Sequence, residues 1–188
     1  MAENNGSGNV APLDAAAAAK AAFAEVTGEP FPTDIYTAPQ LSWAVIGCGV
    51  IANQMATSLA LSGRHLRGVA NRTREKAETF AERYGVERVY NSAEELYQDP
   101  GVDAIYITTP HNTHIRYLRG ALAAGKHVLC EKPAARTYAD ALEMQKAQHE
   151  TGKVLNIGVV NRFNSAVNKL RELIQRGDFG EIYHVYVS

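Results

Sequence analysis

The sequence predicts an α/β fold with a doubly wound parallel sheet, and two observations lead to this prediction. From Leu41 onward, short apolar runs alternate with longer segments of helical period, which is the pattern of repeated strand and helix units. The apolar runs have few polar positions, as is typical of strands that helices cover on both faces. We therefore expect strands at residues 42–46, 66–70, 89–90, 104–108, 127–130 and 154–158.

The segments between these runs contain apolar residues at helical spacing. Ser92 with Glu95, and Thr137 with Asp140, also have the spacing of a capping box, which marks a helix start. Helices are therefore expected around three apolar stripes, which are Ile51, Met55 and Leu59, then Ile115, Leu118 and Leu122, then Val167, Leu170 and Ile174.

The chain divides into three predicted parts. Residues 1–40 form an N-terminal extension with an alanine-rich segment and several prolines, which is either a mobile tail or an arm that packs on a neighbouring subunit. Residues 41–160 form one domain of strand and helix units. Residues 161–188 are predicted to be a crossover helix and, at 182–187, the first strand of a second α+β domain that is missing here.

Composition excludes several classes of partner. The 188 residues carry a formal net charge of -1 without basic clusters, which argues against nucleic acid and anionic membranes. Cys48 and Cys130 lack metal-ligand spacing, so we expect no metal site and no disulfide. No run approaches the roughly 20 apolar residues of a membrane helix, and the N-terminus lacks a secretory pattern. The sequence therefore predicts a cytoplasmic protein with a small-molecule ligand.

A glycine loop joins the first predicted strand to the first helix. Gly47 permits a tight turn, Gly49 lets the backbone approach a pyrophosphate, and Ala52 is small enough for close packing of helix on strand. The helix that begins near Val50 and Ile51 presents free N–H groups to an anion. Because strands flank the loop within one β-α-β unit, we interpret it as a Rossmann dinucleotide site. The alternative is a plain strand-to-helix turn.

The end of the second strand predicts which dinucleotide binds. An NAD-specific site places an acidic residue there for the ribose hydroxyls, but this chain has neutral Asn71 followed by Arg72. A guanidinium can bind a 2′-phosphate through paired charge-assisted hydrogen bonds. We therefore expect NADP(H) to be preferred, with NAD(H) possible. The alternative is that Arg72 lies in solvent and stacks on adenine without discriminating between the two.

Polar clusters follow the fourth, fifth and sixth predicted strands, where ligands of doubly wound sheets bind. They are residues 108–114, the triplet Glu131-Lys132-Pro133, and residues 161–164. With the glycine loop, these segments make residues 41–188 resemble the Gfo/Idh/MocA family of NAD(P)-dependent oxidoreductases. The resemblance implies that Lys132 is catalytic, that a cis peptide bond precedes Pro133, and that the cofactor is bordered by Thr109, Pro110, Asn112, His114, Glu131 and Arg162.

Chemistry supports these residue types independently. Hydride transfer from an alcohol leaves a proton, which Lys132 could accept or orient, with Glu131 setting its position. The alternative for Glu131 and Lys132 is a solvated ion pair. His114 is as well explained by a cap or a packed polar group, and Arg162 by a structural hydrogen bond to Asn164.

The resemblance implies an oxidoreductase that transfers hydride between NADP(H) and a sugar, cyclitol or related polyol, with a homo-oligomer as the complete protein. Family members continue into a second domain that supplies a catalytic histidine and substrate contacts. We therefore expect this chain to be the N-terminal portion of such an enzyme. The alternative from another class is a stand-alone dinucleotide-binding module without turnover.

Overall fold

A computed structural model describes residues 40–186. Within them the chain forms two compact units, with the boundary between Ile157 and Gly158. The predicted boundary after residue 160 therefore falls inside the second unit. The predicted tail or arm at residues 1–40 lies outside the described residues, apart from residue 40 itself.

The first unit alternates strands and helices in the predicted order. Its elements are β1 (Trp43–Ile46), α1 (Val50–Leu61), β2 (Leu66–Ala70), α2 (Arg74–Tyr84), β3 (Arg88–Tyr90), α3 (Ala93–Tyr97), β4 (Ala104–Ile107), a 3-10 turn (His111–Thr113), α4 (His114–Ala123), β5 (His127–Cys130), α5 (Tyr138–Thr151) and β6 (Leu155–Ile157). All six strand predictions are confirmed to within one or two residues at each end.

The six strands form one parallel sheet in the order β3-β2-β1-β4-β5-β6. This order confirms the doubly wound Rossmann fold. The chain reverses its winding direction between β1 and β4, so the loops after these two strands diverge and leave a crevice at the carboxyl edge of the sheet. Ligands of such sheets bind in that crevice.

Helices cover both faces of the sheet. One buried cluster joins Ile46 and Ile107 to apolar side chains of α3, α4 and α5, and the other joins Val45 and Val69 to those of α1 and α2. Residues that alternate along β1 thus enter opposite cores, which explains why its strand sequence is apolar throughout.

The predicted stripe of α1 is only partly buried, and the fully packed residues of this helix are Ala52 and Ala56. Their small side chains let α1 lie close to the sheet. The predicted helix starts are confirmed at both positions. Ser92 Oγ accepts a hydrogen bond from Glu95 N, and Thr137 Oγ1 accepts one from Asp140 N, each at 3.1 Å.

A buried carboxylate lies at the opposite edge of the sheet from the crevice. Asp99, in the loop before β4, is 6% exposed. Its carboxylate accepts hydrogen bonds from Tyr90 Oη at 2.7 Å, Arg88 Nη1 at 2.8 Å and Arg67 Nε at 3.3 Å. It also accepts one from Gly101 N at 2.7 Å. This loop is therefore tied to β2 and β3 through a single side chain.

The second unit contains a 3-10 turn (Val160–Phe163) and α6 (Ser165–Gln175). The side chain of Asn164 caps α6 by accepting from Ala166 N and Val167 N. No strand is present over residues 182–186, although the sequence predicted one at 182–187. A strand is stabilised by pairing with a neighbour, and no described residue pairs with this segment.

Candidate functional site

Most of the predicted site residues lie in loops that leave the carboxyl edge of the sheet. These loops follow β1, β2, β4 and β5, which are consecutive neighbours in the order β2-β1-β4-β5. Because the strands are parallel, their carboxyl ends lie at one edge, so the sheet gathers segments that are far apart in the sequence.

The glycine loop after β1 has the backbone geometry that its sequence predicts. Gly47 has φ of +96°, a conformation that favours glycine, and its N–H donates to Ala70 O of β2 at 2.8 Å. A Cβ added at Gly47 would lie 2.9 Å from Thr108 Oγ1. The loop therefore packs directly against the end of β4, where only a residue without a side chain fits.

Gly49 leaves the start of α1 open. It is the N-cap residue, and no side chain accepts a hydrogen bond from the first turn of the helix. A Cβ added here would meet no atom within 4 Å, so the space above the backbone is open on the protein side. Free N–H groups and the positive helix end suit a pyrophosphate, and this geometry fits a dinucleotide.

Substitutions at the two glycines should separate folding from binding. We expect Gly47→Ala to lower the free energy of unfolding by about 2 kcal/mol, because of its positive φ and its contact with Thr108. Gly49→Ala should cost less than about 1 kcal/mol, yet weaken NADPH binding about tenfold, because its methyl group would occupy the space of the pyrophosphate. Urea unfolding and fluorescence titration measure these two quantities. Unchanged NADPH affinity in Gly49→Ala would contradict the pyrophosphate assignment.

The loop after β2 presents one unpaired guanidinium. Arg72 is exposed and makes no hydrogen bond or ion pair within the described part of the chain. Arg74 is instead held along α2 by Glu78, at 2.7 Å, and by Asn91. Asn71 donates from Nδ2 to Thr73 O at 2.8 Å. The structure thus leaves Arg72 available to an anion and no carboxylate at the Asn71 position.

The loop after β4 carries four predicted residues. Pro110 and Asn112 are exposed, and Thr109 is half-buried with its Oγ1 accepting from Thr113 Oγ1 at 2.8 Å. His114, in contrast, is 1% exposed. Its ring contacts only backbone carbonyl oxygens, which agrees with the packed polar alternative, so it borders the site from beneath.

The loop after β5 places Lys132 at the surface and Glu131 in the interior. Glu131 is 8% exposed, and its carboxylate accepts from Tyr106 Oη at 2.5 Å and from Lys132 N at 3.1 Å. The alternative of a solvated ion pair is therefore wrong, and Glu131 holds the lysine through its backbone. The Lys132–Pro133 peptide bond is cis, as the resemblance implies.

The buried contact between Tyr106 and Glu131 keeps the Tyr106 hydroxyl protonated, so that it donates the hydrogen bond. Burial, and then the hydrogen bond to Glu131, raise the pKa of Tyr106 well above its usual range. The side chain of Lys132 makes no ion pair or hydrogen bond with any described residue, and it is exposed. Its ammonium is therefore free to meet a ligand in the crevice.

Arg162 belongs to the second unit, where it is exposed in the 3-10 turn. The hydrogen bond to Asn164 that was the alternative explanation for Arg162 is absent from the described residues, because Asn164 caps α6 instead. No group of metal-ligating side chains occurs among the described residues, and none of their helices is long and apolar enough to cross a membrane.

Three residues to which the sequence assigned no role shape the site. Tyr106 anchors Glu131, Thr108 packs against Gly47, and Asn53 donates from Nδ2 to Gly49 O at 2.8 Å while its Oδ1 accepts from Tyr84 Oη at 2.9 Å. Tyr106 carries a signal that was available, since its hydroxyl is the only polar side-chain group of β4. Asn53 carries no such signal, because α1 also contains Gln54, Thr57 and Ser58. The partners of Tyr106 and Asn53, however, depend on the tertiary structure.

Known proteins resemble this chain over the same region. A trans-1,2-dihydrobenzene-1,2-diol dehydrogenase of Mus musculus is 37% identical over 145 residues, which are 76% of this chain and 44% of that protein. A 1,5-anhydro-D-fructose reductase of Ensifer adhaerens is 35% identical over 73% of this chain and 42% of that protein. The chain thus spans less than half the length of these relatives.

A solved structure and a family model agree with these relatives. An NAD binding oxidoreductase from Klebsiella pneumoniae superimposes with a TM-score of 0.70 at 32% identity, over 76% of this chain and 40% of that one. Residues 41–159 match the model of the oxidoreductase family with an NAD-binding Rossmann fold. The chain therefore belongs to the Gfo/Idh/MocA family of oxidoreductases, of which it carries the dinucleotide-binding Rossmann domain.

Proposed function

We propose that this chain binds NADP(H) in preference to NAD(H), and that it provides the cofactor and lysine half of a site for hydride transfer to or from a sugar, cyclitol or related polyol. The free guanidinium of Arg72 beside neutral Asn71 is the observation that carries the cofactor preference. The family membership and the surface position of Lys132 support the reaction.

Arg72 is the cation that fits a 2′-phosphate in this loop. Hydrogen bonding of Gly47 N to Ala70 O brings the glycine loop beside the end of β2, where Asn71 and Arg72 follow. A dinucleotide whose pyrophosphate lies at α1 would therefore direct its adenosine ribose towards these two residues. Arg74 is already neutralised by Glu78, so it would add little to the discrimination.

The proposed reaction divides among the chain's own residues. The first turn of α1 would bind the pyrophosphate, and the loops after β4 and β5 would border the nicotinamide. A nicotinamide in that place supplies or accepts the hydride. Lys132 Nζ would bind the substrate oxygen. As the neutral amine it would accept the proton of an alcohol that is oxidised, and as the ammonium it would donate a proton to a carbonyl that is reduced.

The substrate class rests on the relatives. The names of the Mus musculus and Ensifer adhaerens proteins specify a diol and an anhydro sugar. Both contain vicinal oxygen atoms on a ring, which is the chemistry we propose for this protein. A screen of cyclic polyols and sugars with NADP⁺, followed as absorbance of the reduced cofactor, would identify the substrate.

Cofactor titrations of Arg72→Ala test the preference. We expect the affinity for NADPH to fall about tenfold to a hundredfold, since a charge-assisted hydrogen bond contributes roughly 1.5–3 kcal/mol. The affinity for NADH should stay within about twofold, because it lacks the phosphate that the guanidinium binds. Intrinsic fluorescence or calorimetry would give both dissociation constants.

Arg74→Ala is the matched control, because it removes a neighbouring cation that Glu78 already holds. It should change the two affinities little and equally. A fall in NADPH affinity of the same size in both variants would show that general positive charge, not Arg72, attracts the cofactor. Equal losses for NADPH and NADH in Arg72→Ala would likewise contradict the assignment.

A further inference from the structure

His114 lies buried beneath the two loops that carry most of the predicted site. It begins α4 and is 1% exposed, so its ring is shielded from solvent and from any ligand in the crevice. Burying a polar ring is costly unless its nitrogens are hydrogen-bonded. Its hydrogen-bonding partners therefore indicate what the residue does.

The ring joins two segments that leave different strands. Nε2 lies 2.8 Å from Thr109 O, in the loop after β4. Nδ1 lies 3.1 Å from Pro133 O and 3.3 Å from Ala134 O, in the turn after β5. All three partners are backbone carbonyl oxygens, which only accept, so holding both segments at once requires both ring nitrogens to donate, as in the imidazolium form. The ring therefore acts on the backbone and not on neighbouring side chains.

One of these segments begins at Lys132. The backbone N–H of Lys132 donates to the buried carboxylate of Glu131 at 3.1 Å. On its other side, His114 contacts the carbonyl oxygen of Pro133, the residue that follows Lys132. The Lys132 backbone is thus held on both sides, while its side chain makes no hydrogen bond or ion pair with the residues that the structure describes.

We propose that His114 is a positioning residue for Lys132, which ties the turn carrying the lysine to the Thr109 loop and so fixes the point from which the ammonium projects. This inference rests on the role proposed above for Lys132. The ring is 1% exposed and is hydrogen-bonded only to backbone, so it acts through the two segments that it joins.

Two conservative variants each retain one of the two links between residue 114 and the backbone. The side-chain amide nitrogen of asparagine can stand near the position of Nδ1, and that of glutamine near Nε2. His114→Asn should therefore keep the link to Pro133, whereas His114→Gln should keep only the link to Thr109. His114→Ala removes both links, and the asparagine and glutamine pair still decides the question if the alanine variant does not fold.

Hydrogen exchange of the Lys132 amide in the chain without cofactor is the first readout. We expect exchange about tenfold faster than wild type in His114→Gln and His114→Ala, and within about threefold of wild type in His114→Asn. Each rate is divided by that of the Val128 amide, which bonds to Val154 O at 2.9 Å in the sheet. A loss of global stability accelerates the Val128 amide at least as much as the Lys132 amide, so a merely structural role would leave this ratio unchanged or lower it, and only local loosening at Lys132 raises it.

Binding of two ligands is the second readout. NADPH reaches the loops at the nicotinamide end, whereas 2′,5′-ADP carries only the adenosine end. We expect His114→Gln to weaken NADPH about threefold to tenfold and to leave 2′,5′-ADP unchanged, with His114→Asn close to wild type for both. If wild-type protein binds neither ligand, the proposed function fails. Amide exchange still tests whether His114 holds the backbone at Lys132.

Two results would overturn the proposal. One is a Lys132 to Val128 exchange ratio that is the same in all three variants as in wild type. The other is an equal increase of that ratio in the asparagine and glutamine variants, because the contact with Pro133 would then have no special part in holding the lysine.

Discussion

Lys132→Met is expected to lower kcat for the proposed oxidation of a polyol or reduction of a carbonyl by about a hundredfold to ten-thousandfold, the usual contribution of a positioned acid-base group. Methionine keeps an unbranched side chain but cannot accept or donate the proton. The dissociation constant for NADPH should change by less than about threefold, because the pyrophosphate and the 2′-phosphate are assigned to the α1 N-terminus and to Arg72. Steady-state kinetics with a substrate from the polyol screen, and a titration of NADPH, measure the two effects.

Lys146→Met is the matched control for this variant. Lys146 is an exposed lysine of α5 whose Nζ lies 3.8 Å from Glu150, in a surface ion pair that contributes little. The Lys146→Met variant should leave both kcat and NADPH affinity unchanged. If Lys132→Met retains more than about a tenth of wild-type kcat, Lys132 is not the group that moves the proton.

Asp99→Ala is expected to destabilise the first unit by about 3–5 kcal/mol, the range for removing one partner of a buried ion pair. Its loss would leave Tyr90 Oη and Gly101 N without their acceptor, and Arg67 and Arg88 without their buried counter-charge. Urea unfolding of the chain measures the change. Glu94→Ala, which breaks an exposed pair with Arg116 at 3.6 Å, should cost less than about 1 kcal/mol.

The contribution of Asp99 to the free energy of unfolding should decrease as the solution is acidified. The hydrogen bond from Tyr90, then the Gly101 amide and the Arg67 guanidinium, hold the pKa of Asp99 well below its ordinary value of 3.8. A carboxylate whose folded pKa is depressed stabilises the fold fully above its unfolded pKa. That stabilisation is lost as pH falls through the folded pKa.

The difference in free energy of unfolding between wild type and Asp99→Asn should therefore be constant near neutral pH and shrink below about pH 4. A difference that grows as the solution is acidified would contradict the role of the ionised carboxylate. Because Asp99 lies at the edge opposite the crevice, NADPH affinity of the folded variant should remain that of wild type.

The fold class and the position of the glycine loop were predictable from the sequence. These features depend on local patterns: apolar runs for strands, helical spacing for helices, and the need for glycine at Gly47, where φ is +96°. Helix caps at Ser92 and Thr137 were predictable for the same reason, since a cap and its partner are three residues apart. The Glu131-Lys132-Pro133 triplet was also readable, because the family motif is contiguous.

The surroundings of Glu131, His114 and Arg72 became known only from the tertiary structure. Glu131 was expected to set the position of Lys132, with a solvated ion pair as the alternative. The pairing of β4 with β5 places Tyr106 against its carboxylate, which contacts the backbone N–H of Lys132 and not its ammonium. His114 contacts Pro133 because α4 packs beneath the turn after β5. Glu78 and Asn91 bind Arg74, whereas no described group binds Arg72. The segment at 182–187 was predicted to be a strand, but its described residues form no strand. A strand depends on a neighbour to pair with it. Periodicity specifies elements from nearby residues, whereas these contacts join segments through strand register and helix packing, which no local pattern encodes.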